Sequence, residues 1–126
     1  MVTETAVLSP ALLSASLEEI KQRNGKPPWS DRVIVSDDFV VTAICQTPGH
    51  EGDRHYHIKD ECWFVAEGEI IWNMGDGRQI HARAGDFVLA PKNMWHLIQP
   101  SGDGPSIRLA ISVTGEPHRH DPEGIK

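Results

Sequence analysis

The sequence predicts an all-β fold, an antiparallel sandwich or barrel preceded by one short helix. Two observations carry this. From Asp31 onward the chain breaks into nine short strand-like runs at close, regular spacing, each bounded by turn residues. Before Asp31 there is a single stretch of helical character and no other. The expected units are an N-terminal helical arm over residues 1–31, a barrel over 32–114 and a polar tail over 115–126.

The helix is expected over 9–23. Ser9-Pro10 can open it with proline at the first position, and Ser16-Leu17-Glu18-Glu19 offers a later capping box. Leu13, Leu17 and Ile20 make one narrow apolar stripe; Asn24-Gly25 and Pro27-Pro28 end the helix. So short a helix needs a body to lie on. Strands follow over 32–35, 39–46, 54–57, 62–66, 69–74, 79–83, 87–90, 96–99 and 106–114. Between them stand Pro48-Gly49, Glu67-Gly68, Gly75-Asp76-Gly77, Ala84-Gly85-Asp86 and Ser101-Gly102-Asp103-Gly104. The tail after Gly115, EPHRHDPEGIK, is polar with two prolines and is expected to be poorly ordered.

With 126 residues the chain suffices for one domain with a real core. A net charge of -6 without a basic cluster argues against nucleic acid as a partner. No apolar run is long enough to span a membrane, and MVTETAVLSPALL lacks the basic start of an export signal; a cytoplasmic protein is expected. Cys45 and Cys62 stand apart, without CxxC spacing, and read as reduced thiols.

The chemistry concentrates in GHEGDRHYHIKDECWFVAEG, residues 49–68. On an extended segment His55 and His57 share a face, opposite Arg54 and Tyr56. Glu61 follows after a short turn and can add a carboxylate. In GDFVLAPKNMWH, a strand and a proline turn lead to His96, which meets the other three if those strands are neighbours. Three imidazoles and one carboxylate suit Fe(II), Mn, Ni, Cu or Zn. Four protein ligands on an octahedral ion leave two positions for substrate or dioxygen. The same four residues are therefore both the metal-ligand and the catalytic candidates.

These residues resemble the cupin motifs. Gly49, His55, His57, Glu61 and Gly68 match G-x5-H-x-H-x3-E-x6-G throughout; Gly85, Pro91 and His96 match the second motif, with Asn93 in place of its second glycine and Pro100 in place of its asparagine. The resemblance implies a double-stranded β-helix, or jelly roll, with one divalent transition metal per chain. Within the cupins the layout is similar to the 3-hydroxyanthranilate dioxygenase branch, which implies Fe(II) and ring cleavage with dioxygen. Two departures stand where substrate would be read. Pro100 replaces an expected arginine, and Ser112 and Thr114 stand near an expected acidic residue. The resemblance also implies a homodimer with barrels paired edge to edge.

Parity predicts the cavity wall. If Glu67-Gly68 is a two-residue hairpin loop, Trp63 faces Trp72 and Glu61 faces Met74; these side chains, with Ile70 and with Ile98 beyond His96, point inward. Trp63, Trp72, Met74 and Ile98 are thus the candidate substrate wall. Arg108 alternates with Ile107, Leu109 and Ile111 and reads as solvated; His118 and His120, in the tail, read as uninvolved. The first functional expectation is an Fe(II)-dependent dioxygenase acting on a small aromatic or enolisable acid. The alternatives are a redox-neutral isomerase, dehydratase or lyase, and a cupin that binds a small molecule without turning it over.

Overall fold

The computed structural model describes residues 13–121. Helix α1 spans Leu17–Asn24, and its true start is the capping box: Ser16 Oγ accepts from the Glu19 amide at 3.3 Å. The expected helix was thus too long at its beginning. Residues 13–16 are not α-helical, and 9–12 lie outside the described residues. Gly25, at φ 72, closes the C-terminus with its amide on the Lys21 carbonyl.

Eight strands follow: β1 (Trp29–Val35), β2 (Phe39–Gln46), β3 (Glu61–Glu67), β4 (Glu69–Met74), β5 (Gln79–Arg83), β6 (Phe87–Ala90), β7 (His96–Ser101) and β8 (Ser106–Val113). They form two antiparallel sheets, ordered β1-β2-β8-β3-β6 and β5-β4-β7. The fold is mostly β and jelly-roll-like, as expected. The core lies between the sheets, where Trp63, Val65 and Val88 from one meet Ile70, Trp72 and Ile98 from the other. No helix among the described residues is long and apolar enough to cross a membrane.

Three local expectations need correction. Glu67-Gly68 is not a hairpin loop, because β3 and β4 belong to different sheets. The chain crosses the sandwich there, and Trp63 and Trp72 meet across the core with ring centroids 5.3 Å apart. Gly68 makes the crossing feasible: its φ is 79, and a Cβ would lie 2.6 Å from the Pro105 carbonyl oxygen. Next, residues 54–57 form no regular strand. His55 bridges His96 and Tyr56 bridges Arg119, each in isolation. Finally, β7 runs on past the expected end at Gln99. Pro100 sits within it opposite Ile70, which is tolerated because β7 is an edge strand.

The outer face of the five-stranded sheet is divided. Over β1 and β2 it is covered by α1, with Ile20 packed on Val33 and Ala43. A register shift between Arg32 and Ile34 accompanies the outward turn of Val33. Over β8, β3 and β6 it is open, and Phe87, Leu89, Ile111 and Val113 stand exposed there beside Phe39 of β2.

Candidate metal centre

His55, His57, Glu61 and His96 converge, as their spacing predicts. One ligand atom from each lies within 4.8 Å of all the others, and all four residues are buried. The backbone does the placing. The His55 amide donates to the His96 carbonyl at 3.1 Å, and the His96 amide returns a bond at 2.8 Å. This bridge sets the two rings side by side, 4.4 Å between centroids. Glu61 opens β3 and His96 opens β7, each at the same end of its sheet. Asn93, at φ 63, takes the turn before His96 in the left-handed conformation that glycine would otherwise serve.

Supporting bonds fix which nitrogens face inward. A carbonyl oxygen can only accept, so His55 Nδ1 donates to the Asp53 carbonyl at 2.8 Å and His57 Nδ1 donates to the Pro117 carbonyl at 2.8 Å. Nε2 of each ring is left with its lone pair for the centre, as in metal-bound histidines whose other nitrogen is anchored. Ser112 Oγ donates to Glu61 Oε2 at 3.2 Å, which leaves Oε1 for the centre. His57 Nε2 and Glu61 Oε1 are 3.0 Å apart, yet not in hydrogen-bond geometry.

Buried and without partners are His57 Nε2, Glu61 Oε1 and both ring nitrogens of His96. Orphaned polar atoms at such depth are costly. A divalent ion would satisfy His57 Nε2, Glu61 Oε1 and one nitrogen of His96 together, so the residues present fit one. Burial lowers His55 and His96 to about 4, which keeps both rings neutral at pH 7, the form that ligates. For Glu61 burial is the largest influence and pushes the pKa up, but the three surrounding histidines, His57 foremost, together outweigh it and the net shift is downward, towards the carboxylate.

The anticipated substrate wall is placed differently. Trp63, Trp72 and Met74 are inward, as parity requires, but they are packed in the core and line neither cavity beside the centre. Ile98 shares that core and also borders a cavity of about 270 Å³. This cavity is reached by His55; a wider one of about 730 Å³ is reached by Glu61, and His118 borders both.

Three residues that the sequence reading set aside, Arg108, His118 and His120, lie at the site or beside it. Arg108 is buried, not solvated: it lines the smaller cavity, and its Nη1 donates to Gln46 Oε1 at 2.9 Å. Its apolar neighbours face outward, Leu109 towards the helix and Ile111 towards the open face. The tail is also not loose over 115–121. Arg119 bridges Tyr56, and Glu116 Oε2 accepts from the Ile58 amide. The His118 ring stacks on His55 at 3.7 Å, and His118 and His120 both bond Asp53. Arg54 is directed away from the centre, over the Trp95 ring, as alternation predicts. Cys45 and Cys62 are free thiols.

A cupin-domain family model matches residues 44–113. The chain is 33% identical over 99 residues to 3-hydroxyanthranilate 3,4-dioxygenase from Xanthomonas campestris pv. campestris (strain B100), covering 76% of this chain and 54% of that protein. It is 31% identical over 118 residues to the protein of the same name from Xanthomonas oryzae pv. oryzae (strain MAFF 311018), covering 91% and 65%. It thus spans between about half and two thirds of the length of these relatives. Among solved structures, it resembles a conserved protein with a double-stranded β-helix domain from Klebsiella pneumoniae. The TM-score is 0.66 and the identity 26%, with 79% of this chain and 94% of that one covered.

Proposed function

This chain belongs to the cupin family, and from that premise we propose that it is a metal-dependent enzyme acting on a small molecule. The favoured form is an Fe(II)-dependent dioxygenase for a small aromatic or enolisable acid. The observation that supports it is the set of buried, partnerless donors on His57, Glu61 and His96 beside His55. The similarity to 3-hydroxyanthranilate 3,4-dioxygenases adds the reaction class.

An ion held by these four residues would supply Lewis acidity and, if it is iron, reactivity towards dioxygen. The chain does the rest. The Asp53 and Pro117 carbonyls hold the two rings of the HxH pair in one tautomer, and Ser112 orients the carboxylate. The packed layer of Trp63, Trp72 and Met74 backs the cluster and keeps water from its inner side.

The redox-neutral alternative draws on the same ligands and on Pro100. This residue is buried in β7 where the dioxygenase-like pattern calls for arginine, which argues for a different mode of substrate recognition. Elemental analysis of protein purified without chelators, followed by oxygen uptake with 3-hydroxyanthranilate under Fe(II) loading, tests the choice. Iron near one per chain with coupled oxygen consumption is the expected result. Zinc or nickel with turnover of an enolisable acid and no uptake moves the reading to isomerase or lyase, and ligand retained without turnover makes it a binding protein.

The protein is further proposed to work as a homodimer. The exposed face with Phe87, Leu89 and Ile111 is an apolar surface of the kind that marks association. On an antiparallel sheet it can meet its own copy about a two-fold axis, face to face instead of edge to edge. Sedimentation of the wild type is expected to give twice the chain mass, and Phe87→Glu with Leu89→Glu half of that. A monomeric wild type rules the pairing out.

A further inference from the structure

We propose that Arg108 is the anchor for a carboxylate of the substrate, held in the smaller cavity with its reacting end towards the metal cluster. The inference rests on, and sharpens, the reading of the protein as a metal-dependent enzyme for a small acid.

Arg108 is 7% exposed, and its one hydrogen bond goes to a neutral amide oxygen, that of Gln46. Its Nε is buried with no partner among the described residues. No carboxylate among the described residues forms an ion pair with it. Burial lowers its pKa only to about 10, so it stays charged at neutral pH. A guanidinium desolvated without a counter-charge is among the costlier things a core can hold, and an apolar side chain of similar shape would serve stability better. An anion that arrives from outside and completes the fork accounts for it.

The surroundings define that anion. Among the described residues Arg108 is the one arginine or lysine lining the cavity of about 270 Å³, which the exposed Glu51 and Asp53 also border. Ile44 and Ile98 give the same cavity apolar walls, and His55, a member of the metal cluster, borders it as well. The volume admits a small molecule and little more. A carboxylate on a compact apolar body fits the two ends: the acid on the guanidinium, the body between the isoleucines, the far end beside His55. Strand parity delivers this layout, since Ser106, Arg108, Ala110 and Ser112 all face inward along β8 and Ser112 touches Glu61.

The test compares benzoate with benzamide, which have the same ring and nearly the same shape but differ in charge. Calorimetric titrations are made on the full chain, both after chelator treatment and loaded with Zn(II). Wild type is expected to prefer benzoate by about tenfold or more in both states. Arg108→Met should weaken benzoate about thirtyfold, the range for a lost charged hydrogen bond, while benzamide binding stays the same. Arg108→Lys keeps the charge without the fork and should retain part of the preference; if the methionine variant does not fold, wild type and the lysine variant decide the matter. Equal binding of the two probes by wild type overturns the proposal, as does a preference that survives Arg108→Met. A preference seen only with Zn(II) assigns the acid to the ion; the metal reading then stands and this one falls. A preference that depends on Arg108 in metal-free protein stands even if no ion ever binds.

Discussion

His96→Ala is expected to abolish metal retention while the sheets stay folded. His96 is 1% exposed at the start of β7, and neither ring nitrogen has a partner among the described residues. Its backbone bridge to His55 uses only the amide and carbonyl, which alanine keeps. The substitution therefore removes one donor of four without undoing the contact that places the others. Loss of a mere supporting hydrogen bond at a metal site costs about 10–100-fold in affinity. Loss of a ligand should exceed that. After desalting, the variant should hold less than about a tenth of the wild-type ion, with an unchanged circular dichroism spectrum; the tenfold floor follows from the lower end of that range. Full stoichiometry in a folded variant would refute the four-residue centre.

Trp63→Ala is expected to lower stability more than it alters ligand affinity. Trp63 is 2% exposed, and its ring packs against Trp72 and, edge-on, against His96, both at 5.3 Å. Its cross-strand neighbours are Val88 and Ala110, whose short side chains cannot fill the space left behind. Removing a large aromatic from such a position costs about 3–5 kcal/mol, transfer and cavity terms together. The check is chemical denaturation of the metal-free proteins, with Trp63→Phe as the milder comparison. A midpoint equal to wild type would return Trp63 to the role of cavity wall that parity alone suggested.

That reversal shows what the sequence can and cannot carry. His96, far along the chain, was legible through its place after a proline turn in the second motif. The other three ligands were legible because their spacing is local, with alternation aligning His55 and His57 ahead of Glu61. Inward and outward faces of β3 and β4 were legible for the same reason, even though the hairpin used to argue them does not exist. A crossing between sheets preserves parity just as a hairpin does, so the pattern could not tell them apart. Arg108 was misread because alternation with isoleucine and leucine normally means a charged residue facing water. Here the outer face of the sheet is the apolar one, part covered by Ile20 of α1 and part exposed. Which face is which depends on what lies over it, and that is a long-range fact. The C-terminal segment was misread likewise: nothing near 115–121 in the chain announces that Tyr56, Asp53 and Ile58 will receive it.

The seat of the Pro117 carbonyl reaches further than its size suggests. By claiming the outer hydrogen of the His57 imidazole across 60 positions of sequence, it decides which nitrogen of that ring is available for bonding to a cation. A segment that follows every ligand in the sequence therefore completes the donor set, and a chain cut before Pro117 would carry every ligand yet leave one of them free to turn the wrong way.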